Sequence, residues 1–220
     1  MSKATTQALW QHRAAFPDQN TVSIEKSPEI VSLRSRVGDW EADAGMGKQG
    51  QSLLVALVAL TTRFSVTIRD ANQTAQAVTD AICDNLKPYQ DRVFTLTYDN
   101  GREFACHEQI AHNLNAEGFF AHPYHSWERG LNENTNGLIR QYIPKGKDID
   151  DLNDQQVAQI MNKINNRLRK CLGFKTPNQL FFGLKQNVAM ASWIRVKYIE
   201  NKSIIINVIV KINKTKRQHC

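Results

Sequence analysis

Apolar positions recur along this chain with two different periods, and the order in which those periods alternate predicts its architecture. Between Val37 and Asp43, the acids Asp39, Glu41 and Asp43 interleave with Trp40 and Ala42, the period-two pattern of a strand. Leu53 to Leu60 is a nearly continuous apolar run, short for a helix and consistent with a central strand buried on both faces. Phe64 to Ile68 alternates again and predicts the next antiparallel strand. In Asn72 to Leu86, Ala75, Val78, Ile82 and Leu86 repeat at helical spacing and Pro88 lies just past the end, so this segment predicts a helical crossover.

Val93 to Tyr98 is rich in β-branched and aromatic residues and is ended by Asn100-Gly101, a fourth strand with Asp99 at its carboxyl end. Asp99 shares a face with Thr95 and Thr97, while Phe94, Leu96 and Tyr98 take the other. Glu103 to Ala116 predicts a helix ended by Glu117-Gly118, and Phe119 to Ala121 a short fifth strand. Asn132 to Tyr142 predicts a helix with Glu133 near its amino end. The strongest amphipathic helix is expected over Asn153 to Lys170, opened by an Asn153/Gln156 capping box, with Val157, Ile160, Met161, Ile164 and Leu168 as its apolar stripe. The succession β, β, β, α, β, α, β, α predicts an α/β fold. Its sheet is mixed and five-stranded, three antiparallel strands continued by two parallel ones, with helices on both faces.

Around this core, residues 1–35 read as a polar lead-in with one short helix near Thr5 to Ala15, and 36–184 as the folded domain. Residues 185–220 form a basic, β-prone tail with no assigned role. A chain of 220 residues with 41% hydrophobic content has room for one well-buried domain of about 150 residues.

Charge changes the picture more than size does. A formal charge of +7 and a pI near 9.3 favour a polyanionic partner. The cysteines Cys83, Cys106, Cys171 and Cys220 show no CxxC spacing, which fits a reducing compartment and gives no sign of zinc or of a disulfide framework. No apolar run reaches the length of a membrane span, so no membrane partner is expected. The glycines Gly45, Gly47 and Gly50 read as a hairpin turn, since no phosphate-cradling GxxxxGK[ST] is present.

The candidate chemistry lies in carboxylates. Asp99 on a strand end and Glu133 on a helix could converge, although an aspartate before Asn-Gly is commonly a turn residue and a glutamate in a first helical turn is commonly solvated. Density argues for more: 97–104 and 126–146 are crowded with Asn, Gly, Arg, His, Trp and Pro. Asp39, Glu41 and Asp43 fall on one face of the first strand, so alternation does not choose among them. His122 and His125 are three apart, but Pro123 favours a loop and no third soft ligand is near, which disfavours zinc.

The strings GDWEAD (38–43), TYDNGREF (97–104), AHPYHSWERGLNENTNGLIRQYIPKG (121–146) and NNRLRKCLGFKTP (165–177) closely resemble the catalytic domain of IS-thirty family insertion-sequence transposases. Those are DDE enzymes with an RNase H-like, retroviral-integrase-like core, and the resemblance covers roughly residues 24–184. It implies a triad of Asp43, Asp99 and Glu133. The 33 residues between the last two match the family spacing, and Glu133 is favoured over its rival Glu128. It further implies two Mg2+ ions, with Mn2+ as a substitute, held by those three carboxylates for cleavage and strand transfer of DNA. Expected DNA contacts are His125, Trp127, Arg129, Asn136, Arg140 and Lys145, with Lys163, Arg167 and Lys170 on one face of the amphipathic helix. The expected partners are double-stranded insertion-sequence ends and target DNA, with a homo-oligomer on DNA in a prokaryotic cytoplasm.

The chain departs from the family pattern in places. Ala44-Gly45 follows the first acid where apolar residues are usual, only Arg63 remains of a commonly charged turn, and Leu168 replaces a usual proline, so the helix is expected to continue there. Family members carry helix-turn-helix modules ahead of the core, and this chain has no room for them, so a shortened or separately encoded form is expected. A remnant that only binds DNA or dimerises is the main alternative. A hydrolytic RNase H-like nuclease is disfavoured by the NENTNG and KTP strings.

Overall fold

The computed structural model describes residues 20–44, 52–70, 74–122, 130–144 and 148–184, all within one compact unit that ends at Leu184. The expected helix near Thr5, the glycine-rich 45–51 turn, the 123–129 loop and the tail lie outside the described residues.

The strands are β1 (Asp39–Ala44), β2 (Leu53–Ala59), β3 (Ser65–Asp70), β4 (Thr95–Tyr98) and β5 (Glu117–Phe120). They form one five-stranded sheet in the order β3-β2-β1-β4-β5. β1 pairs antiparallel with β2, and β2 with β3, while β4 lies parallel to β1 and β5 parallel to β4. The helices are α1 (Ala75–Leu86), α2 (His107–Leu114), α3 (Gly130–Ile139), α4 (Asp154–Asn165) and α5 (Pro177–Phe181). This is the mixed sheet with helices on both faces that the order of periods predicts.

β2 is buried along its whole length, and alternation divides its side chains between two cores. Val55 and Leu57 join Trp40, Ala42, Leu96 and Tyr98 under α1, α2 and Phe181. Leu54 and Ala56 meet Leu138 and Ile139 of α3 and Val157 and Ile164 of α4 on the other face. Burying such side chains is worth roughly 1.5–3 kcal/mol each, so this two-sided strand anchors the fold. Phe181 stacks on Phe64 at 4.2 Å and meets Trp40 edge-on, which docks α5.

Local chemistry sets the helix ends. Thr74 caps α1 by accepting the Ala77 N–H at 3.2 Å, and the Asn153/Gln156 capping box opens α4 as expected. α4 is shorter than its periodicity predicts. The Asn165 amide accepts the Ser65 N–H (2.9 Å) and donates to its carbonyl (2.7 Å), stopping the helix against β3. Arg169 then pairs with Lys175 in an isolated bridge, and Leu168 is an exposed turn residue and not the end of an apolar stripe. α2 also differs: a 3-10 turn over Arg102–Phe104 precedes it and Asn115, at φ 52°, ends it. Asparagine tolerates that left-handed conformation, which frees Glu117 and Gly118 to pair with Thr95 and Leu96 in β5.

Two features of the lead-in exceed what its polarity predicts. The Phe120 N–H donates to the Val22 carbonyl at 2.8 Å, and Ser23 bridges Phe120 in parallel, so this segment covers the free edge of β5. Gly38 enters β1 at φ 129°, and a Cβ there would strike the Phe94 ring, a position only glycine fills.

Candidate active site

Asp39, Glu41 and Asp43 share one face of β1, yet the structure gives each a different environment. At the amino end, Asp39 is fully engaged by Arg36 (Nη2 at 2.8 Å) and by the Thr95 hydroxyl (2.8 Å); that hydrogen bond and charge raise the Arg36 pKa. Glu41, 2% exposed, accepts the backbone N–H of Asn132 at 3.2 Å. Asn132 is in the first turn of α3, where N–H groups lack helical partners and favour an anion, so Glu41 fixes where that helix begins. Asp43 is half-buried at the carboxyl end and accepts a 2.6 Å hydrogen bond from Asn136 Nδ2 of α3.

Parallel register brings the second acid alongside. Asp39, Trp40 and Glu41 stand opposite Thr95, Leu96 and Thr97, and continuing that register by two residues sets Asp43 beside Asp99. Parity puts both on the face crossed by α3. The Asp99 carboxylate accepts the Gly101 N–H at 3.0 Å, and Asn100 Nδ2 donates to the Ala121 carbonyl at 2.7 Å, tying this turn to the end of β5. The Glu103 and Asp99 carboxylates both come close to Gly101, so Glu103 flanks the site.

Glu133 is exposed in the first turn of α3, one turn before Asn136. Leu131, Leu138 and Ile139 point into the cores, leaving Glu133, Asn136 and Arg140 along one flank of the helix. A shallow groove along α3 is lined by Gly130, Glu133, Asn134, Gly137, Leu138 and Gln141, and so includes Glu133 but neither aspartate. Among the described residues no three His, Cys, Asp or Glu side chains are grouped closely enough to hold a metal ion. The observed register ends at Glu41 and Thr97, two residues short of Asp43 and Asp99, and Glu133 is tied to Asp43 through Asn136 on the same helix.

The donor chemistry nonetheless suits a hard cation. Every group at these strand ends offers oxygen, and Asn136 Oδ1 is buried with no hydrogen-bond partner in the structure. Asn136 is turned toward Asp43 through its Nδ2. This role, like that of Glu41, was not visible in the sequence; the only signal was the density of asparagine in NENTNG.

The other expected contacts are scattered. His125, Trp127, Arg129 and Lys145 lie outside the described residues, as does Glu128. Lys163 is on α4 with its ammonium over the Tyr142 ring at 5.4 Å, whereas Arg167 and Lys170 lie beyond the end of α4 and do not share its face. Arg167 donates to Gln141 Oε1 at 3.0 Å. His122 contacts Ser23 and Glu25 of the lead-in, each at 3.4 Å. No helix among the described residues is long and apolar enough to cross a membrane.

No protein-family model matches the chain. Curated relatives do: the transposase for insertion sequence element IS4351 of Bacteroides fragilis is 44% identical over 173 residues, 78% of this chain and 53% of that protein. Transposase InsI for insertion sequence element IS30A of Escherichia coli is 34% identical over 162 residues, 73% of this chain and 42% of its own length. The chain thus spans about half the length of the curated relatives it matches. Among solved structures, the catalytic core domain of BIV integrase aligns with a TM-score of 0.52 at 19% identity, covering 67% of this chain and 95% of that one. A chain of the simian T-cell lymphotropic virus intasome in complex with PP2A regulatory subunit B56 gamma aligns at 0.55 and 20% identity, covering 80% and 66%. The fold is that of retroviral integrase catalytic cores, and over about three quarters of its length this chain is similar in sequence to insertion-sequence transposases, those of the IS30 elements among them.

Proposed function

We propose that this chain is the catalytic domain of a DNA transposase, cutting and joining DNA strands at the ends of an insertion sequence with divalent metal ions held by Asp43, Asp99 and Glu133. The observation that carries the reading is the register of β1 and β4. Extended two residues beyond the Glu41–Thr97 pair, that register would bring Asp43 beside Asp99, and Asn136, from the helix that bears Glu133, reaches Asp43 at 2.6 Å.

Bound there, two Mg2+ ions, or Mn2+ in their place, would supply charge stabilisation at the attacking and leaving oxygens of a phosphodiester. The chain's own residues do the rest. Asn136 holds the Asp43 carboxylate in one orientation, and its free Oδ1 offers a further oxygen donor. Glu41 fixes the start of α3, and so the height at which Glu133 stands above the sheet. Gly101 and Asn100 keep Asp99 at the lip of β4. Water, and then a terminal 3'-hydroxyl, would attack phosphorus directly, so no covalent protein intermediate is needed. Arg140 and Lys163, with the loops on either side of α3, would hold the DNA backbone. We propose duplex insertion-sequence ends and target DNA as substrates, a homo-oligomer on DNA as the working form, and the bacterial cytosol as its place.

A second reading is a remnant that binds DNA or dimerises without cutting it; the absence of a preassembled group of three acids among the described residues favours it. Nicking and joining of the element's own ends, measured with Mg2+, separates the two. Asp43→Asn, Asp99→Asn and Glu133→Gln should each remove both products and leave salt-sensitive binding in place, whereas a remnant binds and yields no product even as wild type. Hydrolysis of an RNA/DNA hybrid without joining would indicate a nuclease.

A further inference from the structure

Arginines on three separate segments lie at the end of the sheet remote from Asp43 and Asp99, the Arg34 turn tied to the Arg63 turn through Thr61 and the end of α4 tied to Ser65 through Asn165. Those acids stand at the carboxyl ends of β1 and β4. β2 runs antiparallel to β1, so the turn from β2 to β3 lies at the opposite end, and it carries Arg63. With about 3.3 Å per strand residue, the two ends are roughly 20 Å apart, too far to share one phosphate.

The local backbone is held for this arrangement. Arg63 and Arg34 both adopt left-handed conformations, at φ 61° and 50°, which non-glycine residues enter only when their surroundings require it. The turns that carry them are joined by the Thr61 hydroxyl, which donates to the Arg34 carbonyl at 3.0 Å and reaches that of Arg36. The third segment follows α4. Arg169 donates through Nη2 to the Ile164 carbonyl at 3.3 Å, and its Nε is buried with no hydrogen-bond partner. Among the described residues, no carboxylate forms an ion pair with Arg34, Arg63, Arg167 or Arg169. Burial first, and then the charge of Arg34, lower the Arg63 pKa; burial first, and then Arg167, lower that of Arg169. Arginine stays charged at neutral pH regardless. The cluster is therefore a set of cations, Arg63 and Arg169 half-buried and Arg34 exposed, that repel one another and that an anion would satisfy.

We propose that Arg34, Arg63 and Arg169 form a binding site for the phosphate backbone of duplex DNA, separate from the acidic site and engaging a different DNA segment. The inference rests on the reading of this chain as a DNA-processing domain. Guanidinium forks match phosphate oxygens in bidentate geometry, and a site that extends to the exposed Arg34 suits a backbone more than a small anion that must be enclosed.

Cys171 provides the test, because its exposed thiol lies within electrostatic reach of both Arg63 and Arg169. In the full chain carrying Cys220→Ser, alkylation of Cys171 by iodoacetamide is followed by peptide mass. Saturating duplex DNA of arbitrary sequence should slow it several-fold, and inorganic phosphate at the same phosphate concentration should not. The double variant Arg63→Gln/Arg169→Gln should reduce the slope of log K against log salt by about 0.9 for each phosphate that is no longer neutralised, while Arg63→Lys/Arg169→Lys retains most of it. Should the glutamine variant fail to fold, Cys171 protection in the chain with native arginines decides alone. DNA binding with unprotected Cys171 and an unchanged slope overturns this site and leaves the proposed function standing, and protection by inorganic phosphate alone overturns the assignment to DNA. No binding of DNA at all overturns both.

Discussion

Asn136 and Asp43 are joined by a 2.6 Å hydrogen bond between positions 93 residues apart in the chain. Its direction is set by chemistry, since a carboxylate only accepts and the amide nitrogen only donates. The bond holds α3 against the carboxyl end of β1 and leaves Asn136 Oδ1 buried without a hydrogen-bond partner.

Replacing Asn136 therefore acts on Asp43. Asn136→Ala should lower strand cleavage and joining about 10- to 100-fold, the usual cost of losing a group that orients a metal-binding residue. DNA affinity should change little and the fold should persist. If affinity falls in step with activity, Asn136 is a DNA contact and not a positioning residue.

Glu41 tests the placement of α3 independently. Glu41→Ala removes the acceptor of the buried Asn132 N–H, and leaving such a donor unsatisfied costs about 1–3 kcal/mol. Urea unfolding should report a loss of that size. Glu41→Gln keeps an oxygen for the N–H and should cost less, so equal losses in the two variants would contradict the role given to the helix start.

Asn165 stops α4 by making hydrogen bonds to both the N–H and the carbonyl of Ser65 in β3. Asn165→Ala should destabilise the domain by roughly 2–3 kcal/mol, since buried backbone groups lose their partners. The unfolding midpoint checks this, and a shift within measurement error would mean that packing of Val157 and Ile164 alone seats the helix.

Asp150 predicts a pH dependence. The Ser52 hydroxyl, and less strongly the Ser52 N–H, hydrogen-bond its carboxylate and lower its pKa. The depressed folded value means that the stabilisation is present above the unfolded aspartate pKa of about 3.9 and is lost as pH falls through the folded one. Ser52→Ala should then melt below the wild type at pH 7, with the difference closing in strong acid. A gap that stays constant across that range would place its origin elsewhere.

The strands, and the shared face of Asp39, Glu41 and Asp43 on β1, were legible because both depend on period-two alternation, which needs no knowledge of distant segments. β2 is buried throughout as its unbroken apolar run implies, and Thr95, Thr97 and Asp99 share a face as their parity requires. What escaped the sequence is non-local. Which of Asp39, Glu41 and Asp43 stays available depends on where α3 crosses the sheet, and the hydrogen bonds to Asn132 and Asn136 each span more than 90 residues. Phe94 has the parity of a core residue, yet it precedes β4 and lies half exposed against the Arg36 guanidinium. The end of α4 was missed because helical spacing continues to Leu168, while a side-chain amide bonded to another strand ends the helix earlier.

The central claim is that Asp43, Asp99 and Glu133, carried on β1, beside β4 and on α3, act as one metal site. Titration of Mn2+ by electron paramagnetic resonance, in the presence of duplex DNA, tests it most directly. Asp43→Asn, Asp99→Asn and Glu133→Gln should each weaken ion binding at least tenfold, while leaving DNA affinity near that of the wild type. If all three variants bind Mn2+ as the wild type does, the acids do not form a common site and the account is wrong.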